Sequence, residues 1–268
     1  SLAAGGDLKL LSATDSTYSK HTETLQTEGV ALNDPYAAFS DRRKNSSVTS
    51  KIDTNQVTTI NSGGNLTTRS GGNTLIEAST LNADGSIDLK AGYDAKGNVT
   101  KPDATLTFAA VKDSNYLSME DKRSSLSWQS QSGSGHYSGT VKLANIKAGK
   151  GLNVDATGGI VVDIPEVAAA PAPAANGLIA TQLKAPLTDK QAAQAEADKK
   201  VQDAQRLKDH LDTLAKTPGQ EWLGQLAKDP KLNVQFKQVS AAAQQWNYSH
   251  DGLTPEAAGV IVIAVTYL

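Results

Sequence analysis

The chain has no cysteine, one methionine and few aromatic rings: three tryptophans, three phenylalanines and seven tyrosines in 268 residues. Without cysteine, thiolate metal ligands, thiol nucleophiles and disulfides are excluded together. Aromatics at 5% beside 38% hydrophobic residues supply a thick globular core poorly. Thin ladders of aliphatic side chains are the better expectation. A formal net charge of −2 leaves no electrostatic footprint for nucleic acid. The apolar stretch 257–268, which opens on Ala257 and closes on Leu268, falls short of the roughly 20 residues a membrane span needs.

What the chain does have is a short repeated phrase. In residues 61–92, Gly64-Asn65-Leu66-Thr67-Thr68-Arg69-Ser70, Gly72-Asn73-Thr74-Leu75-Ile76-Glu77-Ala78 and Gly85-Ser86-Ile87-Asp88-Leu89-Lys90-Ala91 follow one another. Leu66, Thr68 and Ser70 align with Thr74, Ile76 and Ala78, and with Ile87, Leu89 and Ala91. Apolar and β-branched residues alternating between Gly, Asn and Asp predict short strands with sharp corners. The phrases begin at 64, 72 and 85, steps of 8 and 13 that sum to 21 residues. That period lies in the range of solenoids, whose strands bury their inward face only by stacking. The Gly-Gly-Asn corners are expected to need φ > 0. Gly5 to Ser12 matches Gly63 to Ser70, and Gly149 to Ala156 repeats the pattern with Leu152, Val154 and Ala156 inward. A β-sandwich is the competing reading, with strands at more regular spacing.

Two polar excursions interrupt the rungs. From Ala13 to Ile60 the alternation continues in Thr, Ser, Lys and Asp around the turn Asn33-Asp34-Pro35-Tyr36. This predicts two solvated arms of a long hairpin, with a flexible loop as the alternative. After the link 92–101 and a strand over 104–110, a second excursion carries Tyr116, Leu117, Leu126 and Trp128 beside a Gln-Ser-Gly-Ser-Gly-His tip. It returns at Ile146, and Ile160 to Ile164 form the last expected rung.

Residues 167–187 are rich in Pro and Ala and mark the boundary of the rungs. Beyond it the period changes. Thr188-Asp189 caps a predicted helix with Val201, Ala204, Leu207, Leu211 and Leu214 on one stripe, ended by Pro218-Gly219. A short helix around Trp222, Leu223 and Leu226 stops at Asp229-Pro230, and a third is predicted from Val234 through Phe236, Val239 and Ala243 to Trp246. Thr254-Pro255-Glu256 opens a final apolar helix. The chain starts at Ser1 without an initiator methionine or signal segment and stops inside an apolar run, so it reads as an internal piece of a longer protein.

The Gly-Gly-Asn/Asp-Leu rungs, the excursion KDSNYLSMEDKRSSLSWQSQSGSG and the return TVKLANIKAGKGLNVDATGGIVVDI resemble the haemagglutinin-repeat region of filamentous haemagglutinin-like exoproteins. These are large bacterial surface proteins exported by two-partner secretion, and they include the delivery proteins of contact-dependent growth inhibition. The stretch from Pro218 to Tyr267 is similar to the segment that precedes the variable C-terminal toxin, although the Val-Glu-Asn-Asn junction is absent. The resemblance implies a mainly β chain. It would hold a right-handed parallel β-helix with long β-hairpin excursions over 1–166, a Pro/Ala-rich linker over 167–187 and a small α-helical C-terminal region over 188–268. It also implies a non-enzymatic role, presenting and helping to deliver a C-terminal toxin into neighbouring cells, with an adhesin filament as the alternative. The implied setting is secretion to the bacterial cell surface at the outer membrane. The implied partners are an outer-membrane two-partner secretion transporter, a receptor or outer membrane on the target cell, and a membrane touched by 257–268.

The residues themselves point to no catalytic, cofactor-binding or metal site. His21, His136, His210 and His250 lack metal-ligand spacing. No Gly-x-Ser-x-Gly elbow occurs, and Asp84, Asp88 and Asp94 do not form a calcium-roll pattern. Gly63-Gly64 and Gly71-Gly72 precede strands, unlike a phosphate cradle. A carbohydrate-cleaving groove would cluster carboxylates with a base, whereas Arg69, Glu77 and Asp88 are scattered. Asp41-Arg42-Arg43-Lys44 reads as a charged turn. Tyr116, Trp128 and Tyr137 form either a sugar-stacking or receptor-contact patch or packing against the shaft.

Overall fold

The computed structural model describes residues 1–29, 40–125, 128–167, 189–241 and 243–253. The protein is mainly β. In chain order the strands are β1 (Leu2–Ala4), β2 (Leu8–Leu10), β3 (Ala13–Gly29), β4 (Ser40–Gln56), β5 (Thr59–Ser62) and β6 (Leu66–Ser70). They continue as β7 (Thr74–Glu77), β8 (Thr80–Ala83), β9 (Ser86–Ala91), β10 (Thr105–Ala109), β11 (Val111–Ser125) and β12 (Trp128–Lys142). Then come β13 (Asn145–Ala148), β14 (Gly151–Ala156), β15 (Gly159–Pro165), the helices α1 (Asp189–Leu214) and α2 (Glu221–Lys228), and finally β16 (Val234–Val239) and β17 (Ala243–Leu253). Two compact units result. One comprises Ser1–Ser12, Val57–Val111 and Lys142–Ser240, the other Ala13–Gln56, Lys112–Val141 and the described part of Ala241–Leu268.

The first unit holds three parallel sheets, ordered β1-β6-β9-β14, β2-β7-β10-β15-β16 and β5-β8-β13. From β5 onward the chain visits the third, first and second sheets in that order three times. Like positions therefore stack on one another. In the first sheet Leu66 sits beside Ile87, which is itself beside Leu152, and Thr68 beside Leu89, which is itself beside Val154. In the second, Leu10, Ile76, Phe108, Val162 and Phe236 form one ladder, and in the third Ile60, Leu81 and Ile146 form another. Ile76, Leu81, Ile87 and Leu89 are fully buried, and Leu66 and Val154 are buried. Strict alternation gives each rung a one-sided apolar face, and burying about two aliphatic side chains per strand at ~2 kcal/mol each drives the stacking. Thr68 stands in this column with its Oγ1 buried and unpartnered. Thr68→Val, which keeps the shape and removes the hydroxyl, is expected to raise unfolding stability by about 1 kcal/mol in a denaturant titration.

The 21-residue step is the stacking repeat: Leu66 to Ile87 and Thr68 to Leu89 are each that far apart. Two alignments change. Thr74 and Ile76 belong to a different sheet from Leu66 and Thr68, and Leu8 and Leu10 stack on Thr74 and Ile76, not on the Leu66 strand. The corner glycines also have another cause. Among the described residues glycines with positive φ are Gly92, Gly97, Gly151, Gly159 and Gly219. Gly71, Gly72 and Gly85 are absent from that set and are instead closely approached by the neighbouring rung. A Cβ at Gly72 would overlap Asp7 Oδ1, and one at Gly85 would overlap Asn65 Oδ1. Those carboxyl and amide oxygens accept the amides of Asn73 (2.8 Å) and Ser86 (3.0 Å), and Asn73 Oδ1 in turn accepts that of Thr105 (3.1 Å). Gly-Gly-Asn is thus a cap that one rung places on the next, and glycine leaves room for it.

The C-terminal region departs from expectation in kind. The third helix predicted from Val234 to Trp246 is two strands, β16 and β17. β16 pairs with β15, so Ile160 to Ile164 is not the last rung. The reason is the ladder: Val234 and Phe236, two residues apart, extend the Ile160 and Val162 positions. The region is accordingly α plus β rather than α-helical. α2 buries Trp222, Leu223 and Leu226 as expected. Trp222 meets Phe108 with ring centroids 4.6 Å apart, and its Nε1 donates to Ala144 O at 3.3 Å. Of the α1 stripe, Leu211 is buried and Leu207 and Leu214 are half-buried, while Val201 is 70% exposed. Only the last turns of α1 pack. The linker from 168, the Thr188 cap, the Asn33-Asp34-Pro35-Tyr36 turn and the apolar stretch 257–268 lie outside the described residues.

The second unit is one antiparallel sheet, β17-β12-β11-β4-β3. β3 and β4 pair from Ala13↔Gln56 to Gly29↔Ser40, and β4 pairs with β11 from Asp53↔Ser114 to Arg42↔Ser125. Two expectations shift with it. Residues 131–136 are the body of β12 rather than a tip, and Asp41 to Lys44 lie within β4 rather than in a turn.

Candidate functional site

In an antiparallel sheet, directly opposed residues share a face and successive residues alternate. The register places Tyr18, Lys51 and Tyr116 in one row on one face. Gly135 opposes Trp246, Gly133 opposes Tyr248, and Tyr137 opposes Gln244. Tyr116 and Trp246 stack with centroids 5.6 Å apart and planes at 29°, which puts both sets on the same face. The two glycines explain how the rings lie. A Cβ at Gly135 would overlap the Trp246 indole, and one at Gly133 would come within 2.6–2.7 Å of the Tyr248 ring. The rings therefore lie down across bare backbone. Tyr248 remains 40% exposed and its hydroxyl accepts from Gln131 Nε2 at 3.3 Å.

Trp128 pairs with Leu253, an odd number of positions from Tyr137 along β12, so it lies on the opposite face. Of the expected patch, Tyr116 and Tyr137 come together and Trp128 does not. Trp128 instead lines a groove of about 430 Å³ with Leu25, Arg42, Lys44 and Arg123. Trp246 closes the stretch that reads as a third helix and Tyr248 lies just beyond it, so neither joins the expected patch. The period-two run Trp246, Tyr248, His250 and the Gly133-x-Gly135 pattern are the signals that mark them.

The sheet is clamped where three strands meet. Asp53 Oδ1 accepts from Ser16 Oγ at 2.6 Å, and its Oδ2 accepts from Lys51 Nζ at 2.8 Å and Ser114 Oγ at 2.9 Å. These donors, Lys51 first, hold the Asp53 carboxyl down to about 2. Because the folded value lies below the usual ~3.9 of an unfolded chain, the stabilisation is present above that value and is lost as pH falls through about 2. An acid titration followed by tyrosine and tryptophan fluorescence should show this loss. Asp53→Asn should flatten that part of the profile and weaken the sheet at neutral pH. Asp121 is held low in the same way, by Ser46 first and then by Lys44 and Arg123.

The remaining candidates are placed by structural bonds. Arg69 Nη1 donates to the carbonyls of Asp94 (3.3 Å) and Ala95 (2.7 Å). Glu77 Oε2 accepts the Ser12 amide at 3.1 Å, and Asp88 Oδ1 accepts from Asn153 Nδ2 at 2.8 Å. Asp94 Oδ1 accepts the amides of Lys96 and Asn98, each at 2.8 Å, closing its own turn. His210 Nε2 lies 3.0 Å from Pro165 O, while His21, His136 and His250 sit on separate strands of the sheet. Among the described residues no three His, Asp or Glu side chains are grouped to hold a metal, and no helix is long and apolar enough to cross a membrane. No protein-family model matches the chain, no curated protein matches it, and no solved structure matches its fold.

Proposed function

We propose that the first unit is a right-handed parallel β-helical shaft, and that the chain is a non-enzymatic segment of a filamentous haemagglutinin-like surface exoprotein. Its role is to present, and help deliver, a C-terminal toxin to a neighbouring cell. The observation that carries this reading is the rotation through three parallel sheets with every long excursion inserted after a strand of the second sheet: after β2, β10, β15 and β16. The right-handed sense follows from the twist preference of parallel crossovers. A hairpin at every second turn adds two strands to the antiparallel sheet for every two added to a parallel one. At about 4.8 Å per strand both lengthen equally, and β4 of one hairpin pairs with β11 of the next. An array of this kind extends by repetition, which suits a long surface filament served by an outer-membrane two-partner secretion transporter. The stretch 257–268 is the part assigned to membrane contact.

The test uses donor cells making the parent protein, mixed with target cells in contact on a surface. Donors lacking this segment should lose inhibition of their neighbours, and a tag inserted between Ser125 and Trp128 should label intact donors only while the transporter is present. Undiminished inhibition without the segment overturns the reading. Binding to targets without inhibition, by donors with the intact segment, replaces it with the adhesin alternative, which the exposed aromatic face favours. For the membrane contact, the 268-residue chain should float with liposomes and a chain ending at Leu253 should not; failure of the full chain to float removes that part.

A further inference from the structure

We propose that the face of the antiparallel sheet opposite Tyr116 and Trp246 is a two-fold interface, and that its occupant is a second copy of this chain. The inference goes beyond the shaft and delivery reading and does not depend on it. It starts from where the sheet keeps its aliphatic side chains. On β4, Val48, Ser50 and Ile52 share one face, and the register sets Met119 opposite Val48 and Leu117 opposite Ser50 on that same face. Leu25, opposite Lys44, lies there too, and so does Trp128. Leu25, Val48, Ile52, Met119 and Trp128 are 39–59% exposed. An exposed apolar set of this extent on one side of a sheet marks a contact surface.

Shape points to a copy of the same chain. β11 is the middle strand of five. A two-fold axis along it lays β4 of one copy over β12 of the other and brings each β11 onto its mate. β4 and β11 present a ridge, Val48, Ile52, Leu117 and Met119, while β12 beside it presents the small side chains Ser130, Ser132 and Ser134. Leu117, Met119, Ser134 and His136 line a hollow of about 440 Å³, and Val48, Met119, Ser132 and Ser134 another of about 480 Å³. The ridge of each copy fits the serine-floored hollows of the other, the self-complementarity that an isologous interface requires.

Charge and size agree with it. From the Val48 row outward, Arg42, Lys44 and Arg123 on this face are balanced by Glu23, Asp121 and Asp251, so two copies meet without net repulsion. Asp121 and Arg123 stand two residues apart, about 7 Å, on the strand at the axis. Each Asp121 can therefore reach the partner's Arg123, and each Arg123 the partner's Asp121. Arg42 and Lys44 come over the partner's Trp128, a cation on an indole. β17, with 11 residues, is the shortest strand of the sheet. Five strands about 4.8 Å apart and about 37 Å long give a face of roughly 900 Å² per copy, against the ~800 Å² per partner of a stable interface. Two such faces pack about 10 Å apart with their strands crossing at about 30°.

The experiment is sedimentation velocity of the full purified chain across the micromolar range, where the mass should rise from that of one chain to that of two. Val48→Lys and Met119→Lys should each weaken the dimer by roughly tenfold or more. Ser134→Arg, which fills the hollow, should weaken it with the ridge intact, and Tyr248→Lys, on the other face, should leave it unchanged. The chain has no cysteine, so Met119→Cys supplies a unique thiol beside the axis. Mild oxidation should join two chains through it and should not join them through Tyr18→Cys, on the other face. All these side chains are exposed, and near-ultraviolet dichroism identifies folded variants. The mass of one chain at every concentration, a dimer that survives both Val48→Lys and Met119→Lys, or one that cross-links through Tyr18→Cys and not Met119→Cys overturns the proposal. Association through the apolar stretch 257–268 or an open strand edge would survive both lysine variants and so counts against it. These readouts need only the purified chain, so a failure of toxin delivery or surface display leaves them intact, and their failure leaves the shaft reading standing.

Discussion

Phe108→Ala should lower the stability of the first unit by about 3–5 kcal/mol. Phe108 is among the largest fully buried side chains of the described residues, 2% exposed, and stands in the middle of the Leu10, Ile76, Phe108, Val162, Phe236 ladder. It also carries the contact with Trp222, at 4.6 Å between centroids, through which α2 covers the rungs. The substitution removes ring burial, leaves a cavity that stacked strands cannot close without breaking their ladder, and loosens α2. The measurement is a denaturant titration followed by Trp222 fluorescence in a chain with Trp128 and Trp246 replaced by Phe. Leu25→Ala, at a side chain 59% exposed on β3, should change the midpoint by less than about 0.5 kcal/mol. Equal effects of the two would remove the ladder from its assigned role.

Gly92→Ala should cost about 2–4 kcal/mol, against about 1 kcal/mol for Gly97→Ala. Both glycines have φ of +88°, so both substitutions meet the left-handed penalty. They differ in surroundings. A Cβ at Gly97 meets nothing within 4 Å, whereas one at Gly92 lies 2.7 Å from Lys101 O and 2.9 Å from Ala104 Cβ, and against Thr157 Oγ1. Gly92 is also where the loop to β10 leaves the first sheet: its amide reaches Ser70 O at 2.9 Å and Gly72 O at 3.0 Å, and its carbonyl accepts Thr100 N at 2.8 Å. Thermal unfolding of the two variants separates conformational strain from close approach. A common shift would assign the whole cost to φ.

Much of the first unit could be read in the chain because its physics is local and repeated. Ile87, Leu89 and Ala91 stand 21 residues after Leu66, Thr68 and Ser70, and alternation alone says that such strands need neighbours. The polar arms were equally legible: β3 and β4 are written mainly in Thr, Ser, Lys, Asp and Glu, and their few apolar side chains, Leu25, Val48 and Ile52, stay exposed. Val234 to Trp246 was not legible. Val234, Phe236, Val239, Ala243 and Trp246 satisfy steps of two, three and four at once, and the choice fell to β15, whose open edge pairs with β16. The aromatic cluster failed with it, since Tyr116 and Tyr137 name half of a patch whose other half, Trp246 and Tyr248, lay at and just beyond the end of the expected helix.

The sequence by itself determined that this is a mainly β chain of short stacked rungs interrupted by long polar arms, because side-chain alternation and turn residues act within a few positions. Tertiary structure decided which rung lies on which, why Gly72 and Gly85 must be glycine, and which rings share a face. Those depend on atoms brought together from distant turns: Asp7 against Gly72, Asn65 against Gly85, and Tyr116 against Trp246. Contacts that far apart in sequence leave no periodic trace in either partner alone.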